Sequence, residues 1–430
     1  MMLSHCIRLE ATPAQREYCA RAAGTARKVW NWGLAECLRQ EALGQRPNPM
    51  ALKKQFNAIK YSHPEWLDAA GLPWLQTIHR DAHAQPFAHL ARAWRRYAER
   101  RHSQQPVGRP RFKKKGRCKD SFYVANDKFR LDGNTIVLPK IGRVLLAEEL
   151  RFSGKIMGAN VSREGDHWYV AIQVELPERE ACIKRCGDGV VGVDLGVSAA
   201  AVLSTGEKIE APRPLQSRLR RLRIRSRRQA RKLEAAKESS GIVGAIPKGV
   251  RLPVSRNREK GARALGRLHA HTRHIRANFT HELTTRLCRE NQAVVIEDLH
   301  VRGMLANHRL ARAIADVGFY EIRRQLLYKA KRYGTDIVLA DRWYPSSKLC
   351  SCCGAHNAAL TLTERSWTCS CGAHHDRDVN AAISLQRLAT GAFAAQTALP
   401  VASQEVTHGT AAETVSAAGG KVTPARYEYG

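Results

Sequence analysis

The chain has 430 residues, 43% of them hydrophobic, which at roughly 100–200 residues per domain implies two to four domains with real cores. Its 71 lysines and arginines stand against 39 acidic residues, a formal charge of +32, and a balance this basic points to a polyanionic partner because neutralised phosphates release condensed counterions. No apolar run approaches the roughly 18 residues of a membrane span, and MMLSHCIRLEATPAQ lacks the apolar core of a secretory signal, so the expected compartment is the cytoplasm or nucleoid.

Residues 4–10 read as a short strand. Thr12-Pro13-Ala14-Gln15 reads as a helix start, in which Thr12 caps, Pro13 suits the first helical position and Gln15 completes a capping box. The pattern is then helical to about Arg101, with Val29, Trp30, Leu34 and Leu38 on one face. Trp66, Trp74, Phe87, Trp94 and Tyr97 are expected in the core of that block. The stretch 106–110 breaks the helices, and Arg109, Arg111, Lys113, Lys114 and Lys115 form a basic turn. Strands are expected at 121–124, 135–138, 143–146 and 168–174, between turn residues. They describe a small β-barrel that the first strand can join, which makes the helical block an insertion.

Val190-Val191-Gly192-Val193-Asp194-Leu195-Gly196 and the run 200–203 read as paired strands. Residues 215–237 form a basic helix, with Leu215, Leu219, Leu222 and Leu233 near helical spacing. Arg218, Arg220, Arg221, Arg223, Arg225, Arg227, Arg228, Arg231 and Lys232 cover the rest. Such a helix repels itself unless a polyanion is near; the alternative is a solvated charged face. After a loop over 239–253, a second helix spans 269–288, and the buried strand 293–296 ends at Glu297. A helix over 311–333, a strand over 336–340, a cysteine cluster and a helix over 379–388 follow. The remainder, 390–430, is rich in Ala, Thr, Gly and Ser and is expected to be mostly disordered.

Three acids stand out by context. Asp194 and Glu297 each close an apolar strand, and Asp378 sits in Asp376-Arg377-Asp378-Val379-Asn380 at a helix start. Gly192 leaves space beside Asp194. Taken singly, Asp194 reads equally as a turn residue, Glu297 as a solvent-facing strand end and Asp378 as a plain helix cap. Taken together, acids at two strand ends and one helix start can converge at one sheet edge. Converging carboxylates repel, so such a cluster implies bound cations, and hard oxygen ligands suit Mg²⁺ or Mn²⁺.

Of twelve cysteines, seven are scattered and read as small buried hydrophobes, while five crowd between Cys350 and Cys371. Cys350-Ser351-Cys352-Cys353-Gly354 and Cys369-Ser370-Cys371-Gly372 match a four-cysteine zinc ribbon, with Cys350, Cys353, Cys369 and Cys371 as ligands of a structural Zn²⁺. The second pair is one residue shorter than the common spacing and Cys352 is a spare thiol, so either can alter the ligand set.

In this order the motifs resemble the TnpB family, transposon-encoded nucleases related to compact type V CRISPR effectors. The resemblance runs through Gly192–Gly196 with 201–206, Val295-Ile296-Glu297-Asp298-Leu299, Asp341-Arg342-Trp343-Tyr344-Pro345-Ser346-Ser347-Lys348, the cysteine cluster, and His375-Asp376-Arg377-Asp378-Val379-Asn380-Ala381-Ala382. Near the N-terminus, Ala26-Arg27-Lys28-Val29-Trp30-Asn31 and Gly108-Arg109-Pro110-Arg111-Phe112-Lys113 also fit. It covers about residues 1 to 388. It implies a multidomain α/β and α+β protein. A wedge β-barrel (1–12 and 106–185) and a helical recognition domain (13–105) form one lobe. A RuvC-like nuclease of RNase H fold (186–344 and 375–389), with a zinc ribbon (345–374), forms the other. It also implies an RNA-guided DNA endonuclease with a two-metal site on Asp194, Glu297 and Asp378, a guide RNA, double-stranded target DNA, and phosphate contacts from the two basic segments. The alternatives of other classes are an unguided resolvase or transposase, a guided DNA-binding repressor, and a CRISPR effector proper.

Overall fold

The computed structural model describes residues 1–103, 106–247, 250–253, 255–361 and 363–391, and the backbone of 398–399. Apart from these last positions, the tail expected at 390–430 lies outside the described residues. The chain divides into two compact units, one ending at Pro177 and the other beginning at Glu178, ahead of the boundary expected at 185.

The first unit opens with β1 (Met2–Glu10) and α1 (Pro13–Ala42). Thr12 caps α1, and Gln15 returns its side chain to the Thr12 amide at 2.9 Å. The helical block is not continuous. α1 is followed by α2 (Pro49–Ile59), capped by Asn48, and α3 (Arg80–Arg100), with short 3₁₀ turns at Pro64–Trp66 and Trp74–Thr77. Pro49, Pro64 and Pro73 mark the breaks, since proline fixes φ at helix starts and removes an interior donor. Trp30, Phe56, Trp66, Phe87 and Trp94 pack into one core cluster.

The rest of the unit is β2 (Ser121–Ala125), β3 (Arg130–Asp132), β4 (Thr135–Leu138), β5 (Gly142–Leu146), β6 (Lys155–Glu164) and β7 (His167–Glu175). With β1 they make one antiparallel sheet in the order β2-β6-β7-β1-β5-β4-β3. The N-terminal strand therefore lies inside the sheet, paired with β7 from Met2 to Leu9 and with β5 at its end. Its alternation is regular: Ile7 and Leu9 are buried and Arg8 and Glu10 exposed, the period of a strand with one covered face.

The second unit begins with α4 (Glu178–Ala181), β8 (Gly189–Asp194), β9 (Ala201–Leu203) and β10 (Lys208–Ile209). Two long helices follow, α5 (Pro214–Glu238) and α6 (Arg256–Glu290). Then come β11 (Asn291–Glu297), α7 (Val301–Ala306), α8 (Ala311–Val317), α9 (Phe319–Tyr333) and β12 (Asp336–Ala340). The single helix expected over 311–333 is two, because Gly318 turns left-handed (φ +79°) and serves α8 as its C-cap. A small hairpin, β13 (Ser366–Thr368) with β14 (His374–Asp376), leads into α10 (Arg377–Thr390), and β15 (Ala398–Leu399) closes the described chain.

The sheet order is β10-β9-β8-β11-β12-β15, with β8, β11 and β12 parallel. Parallel strands are covered on both faces, hence the nearly continuous apolar runs. Val191, Val193, Val294 and Ile296 face one core shared with Leu283, Leu287, Ile322 and Leu326 of α6 and α9. Val295 and Ala340 face the other way, onto Leu385 of α10. No helix among the described residues is long and apolar enough to cross a membrane.

Candidate active site

The register of the parallel sheet builds the acidic edge. Val193 lies opposite Ile296, so the next residues, Asp194 and Glu297, end neighbouring strands side by side. Side chains alternate, so Gly192 and Asp194 share the face that meets α10. At Gly192 the helix backbone takes the space of a side chain: a Cβ there would lie 1.9 Å from Ala382 O and 2.5 Å from Gln386 N. Gln386 also donates to Val190 O at 2.6 Å. That close approach brings the first turn of α10, and with it Asp378, to the strand ends.

Asp194 feels the other two acids. Burial, then the charges of Glu297 and Asp378, push the Asp194 carboxyl up to about 7. Burial also raises Glu297, against a 2.6 Å hydrogen bond that its Oε1 accepts from Ser346 Oγ. Such a donor set, all oxygen, has the chemistry that a hard divalent cation takes, though among the described residues it is the four cysteines, not these acids, that bring their ligand atoms within 4.8 Å of one another. Asp376 plays a different part from Asp378. It is the N-cap of α10, accepting from the amides of Asp378 and Val379, and it binds Lys208 Nζ at 2.6 Å. Burial pushes Asp376 up, but the Lys208 contact and the helix amides outweigh it and hold the carboxyl below its usual range. Asp378, in the first turn, has Arg377 and Arg365 at 3.4 and 3.7 Å.

Several residues beyond the predicted acids hold this edge. Asp298 pairs with Arg323 and, at 2.9 Å, with Arg342. Asn380 accepts from Ser351 N at 2.8 Å and donates to Leu349 O at 2.6 Å, which pins the cysteine cluster to α10. Asp298, Arg342, Ser346 and Asn380 all lie inside the motifs that carry the family resemblance, so that membership was a signal; the Asn380 partnership with Ser351 was not readable, because it spans 29 residues. Asp316, 2% exposed, has no such signal. It accepts from the amides of Leu215 and Gln216 and pairs with Arg276. It thus caps α5, whose own N-cap, Arg213, offers no side-chain acceptor.

The sulfur atoms of Cys350, Cys353, Cys369 and Cys371 lie within 4.8 Å of one another. The Cys350–Cys371 and Cys353–Cys369 separations are 3.7 and 3.6 Å, and a tetrahedron with arms of about 2.3 Å has edges of about 3.8 Å. The shortened second pair therefore still closes the cluster. Gly354 (φ +78°) and Gly372 (φ +84°) supply the left-handed residues that both turns need. Cys352 is exposed, and its backbone amide, not its thiol, points to Cys350 Sγ at 3.4 Å. His375 joins the cluster's surroundings, with Nε2 3.1 Å from Cys350 Sγ, a neighbour that cysteine spacing does not disclose.

The basic segments separate in character. α5 buries only Pro214 and Leu222. Arg220, Arg221, Arg227 and Arg228 are exposed, and Arg218 is half-buried beside His271. Between α5 and α6 a cavity of about 580 Å³ is lined by Arg220, Arg221, Arg225, Arg228, Lys232 and Gly261 among others. In the first unit, Arg111, Lys114 and Lys115 are exposed. Arg109 instead pairs with Glu41 at 2.9 Å, and Lys113 stands over the Trp30 ring at 4.0 Å. The turn is fastened by Asn31, which exchanges two hydrogen bonds with the Lys113 backbone, and by Trp30 donating to Arg111 O.

Comparison with known proteins agrees in three places. Residues 172–308 match the OrfB family of IS605 elements, described as a probable transposase; 319–385 match the Cas12f1-like TNB domain; and 1–45 match a helix-turn-helix domain of the same OrfB family. Over 1–45 the chain has a strand and one long helix. A Streptomyces pristinaespiralis protein named a putative RNA-guided DNA endonuclease is 34% identical over 87% of this chain and 86% of its own. Relatives of the same name from Mycobacterium tuberculosis (31%; 88% and 85%) and Escherichia coli (InsQ, 27%; 87% and 90%) also align. A solved complex of Cas12f1 with guide RNA and target DNA superposes with a TM-score of 0.45 at 12% identity, over 85% of this chain and 81% of that one.

Proposed function

We propose that this chain, which belongs to the TnpB family of transposon-encoded proteins, is an RNA-guided DNA endonuclease that hydrolyses phosphodiesters at a RuvC-type site on Asp194, Glu297 and Asp378. One observation carries the reading: Asp194 and Glu297 end neighbouring parallel strands, Asp378 stands in the first turn of the helix packed on that sheet, and burial, then the charges of the other two acids, push Asp194 up to about 7. The unit holding them is read as an RNase H-like nuclease with an α5–α6 insertion and a zinc ribbon over 345–374. The unit before it is read as a wedge barrel interrupted by a helical recognition block.

Asp194, Glu297 and Asp378 would hold divalent cations, which when bound would supply activation of a water and charge neutralisation at the leaving 3′ oxygen. The chain's own residues prepare that chemistry. Ser346 fixes the orientation of Glu297, and the Arg323 and Arg342 pairs hold the adjacent Asp298. Asp378 lies in the first turn of α10, where the helix dipole favours a carboxylate. Choice of target is delegated to pairing between guide RNA and one DNA strand, while the protein contacts backbone and a short adjacent motif. The direct test is to purify the protein with its bound RNA, sequence that RNA and offer matched DNA with Mg²⁺. Cleavage of the matched DNA alone is expected; equal cleavage of unmatched DNA overturns the guided reading.

The ribbon is proposed to hold one structural zinc on Cys350, Cys353, Cys369 and Cys371. Metal analysis is expected to find about one zinc per chain. Cys371→Ser is expected to lose it and to lower the melting temperature, while Cys352→Ser keeps it. The reverse pattern would remove Cys371 from the ligand set.

The α5–α6 hairpin is proposed to grip phosphates of the guide RNA or its heteroduplex. Reversing Arg220, Arg221, Arg227 and Arg228 to Glu is expected to weaken RNA binding whatever the sequence. It should also flatten the salt dependence by roughly one unit of slope for each phosphate that is no longer neutralised. An unchanged slope, measured from low to moderate salt, would make the hairpin a solvated face and shift attention to Arg111, Lys114 and Lys115.

A further inference from the structure

We infer that Trp343 is a stacking platform for an unpaired base of the DNA strand brought to the acidic edge. The inference rests on the nuclease reading above and adds a substrate-contacting residue to it. The starting point is an anomaly of burial. Of the eight tryptophans, Trp343 alone is exposed, and it is 85% exposed. Tryptophan carries a large flat apolar surface with one polar tip, and an indole this exposed offers a ready contact face.

The loop around it is not loose. Asp341 accepts the Trp343 amide at 2.8 Å on its side chain and the Tyr344 amide at 3.0 Å on its carbonyl. Arg342 turns to Asp298, Tyr344 donates to Ser384 O at 3.3 Å, and Ser346 donates to Glu297. The polar side chains on either side of Trp343 are thus engaged within the loop, at the sheet edge or on α10, while the indole between them stands in water. A rigid frame that presents one ring is the arrangement of a contact surface, since the backbone beneath the ring is ordered before a ligand arrives.

The position selects the ligand. Ala340, the last residue of β12, pairs with Glu297, so Trp343 lies at most about 10 Å of extended chain from that register position. Arg342 is engaged by Asp298, so the exposed indole, rather than that guanidinium, is what this loop offers a strand. A flat π-face holds a base without regard to its identity, which suits an enzyme whose sequence choice is made by pairing elsewhere.

The test uses the full protein with its guide RNA, as wild type and as Trp343→Phe, Trp343→Leu and Trp343→Ala. On an Asp194→Ala background, which is expected to bind without cutting, the fluorescent adenine analogue 2-aminopurine is placed base by base along the unpaired part of the target. The expected result is a stacking-dependent change in emission at one position that survives in the Phe variant and disappears in Leu and Ala. With Asp194 intact, cleavage at subsaturating DNA is expected to fall roughly ten-fold or more in Leu and Ala, and little in Phe. Unchanged emission and cleavage in Trp343→Ala overturns the proposal. So does a Leu variant that behaves like Phe, because apolar bulk would then suffice and a protein partner would be the better occupant. Failure of the wild type to cut guide-matched DNA would instead count against the nuclease reading, while the emission measurement, which needs only binding, still decides Trp343.

Discussion

Asp194→Asn is expected to lower guide-directed DNA cleavage by roughly a thousand-fold or more, about 4 kcal/mol of transition-state stabilisation, while RNA and DNA binding stay near wild type. The same variant is expected to be more stable than wild type in magnesium-free buffer at neutral pH. Asp194 sits among Glu297 and Asp378 with its carboxyl raised to about 7 from an ordinary 3.8. Between those values the folded chain keeps a proton that the unfolded chain releases. Stability of the metal-free protein therefore falls as pH rises through this window, by up to about 1.4 kcal/mol per unit. The decline is complete above the folded value and absent below the unfolded one. Asparagine has the same shape and no charge, so the slope should vanish with it. Added Mg²⁺ should shrink the slope in wild type and leave the variant unmoved. Melting temperatures from pH 5 to 8, in a buffer that leaves zinc in place, measure this directly. Near wild-type cleavage, or an Asn variant with the full pH slope, would remove Asp194 from the centre of the site. An active enzyme that is steadied by losing an acid is the usual trade between function and stability at such clusters.

The strands that carry Asp194 and Glu297 were legible because buried parallel strands announce themselves as unbroken apolar runs, and both runs end on an acid. The cysteine cluster was legible from spacing. What escaped was tertiary. The strand over 155–164 was not expected: its Gly158 sits where the ladder shifts register, opposite Gln173, and this interrupts the alternation that marks a strand. The break at Gly318 hides inside a helical pattern, since glycine is only mildly disfavoured there. Asp316 caps α5 by accepting from Leu215, 101 residues before it, and nothing local to either segment marks that pairing. The placement of Asp378 was half legible. Its position at a helix start could be read, but the assignment of the cap to Asp376 comes from two amide bonds and Lys208. That assignment leaves Asp378 without capping duty and converts an ambiguous pair into two distinct roles.

Gly192→Ala is expected to cut cleavage by roughly a hundred-fold or more and to cost about 1–3 kcal/mol of stability, the range of overpacked cores. Gly192 has no special backbone conformation, so its need is for space alone. The added methyl carbon would lie 1.9 Å from Ala382 O and 2.5 Å from Gln386 N. Both are helix backbone, which cannot rotate aside as a side chain can, so α10 must move off the sheet. That movement would carry Asp378 away from Asp194 and Glu297, and through Asn380 it would drag the cysteine cluster with it. Gly189→Ala is the matched control, on the same strand with nothing within 4 Å of its Cβ. It is expected to change stability by less than about 0.5 kcal/mol, as exposed substitutions do. Melting temperature and single-turnover cleavage of the two variants, side by side, test whether α10 is seated as described. A Gly192→Ala protein with wild-type stability and wild-type cleavage would mean that the helix does not rest on Gly192, and the three carboxylates would then lack the contact that brings them together.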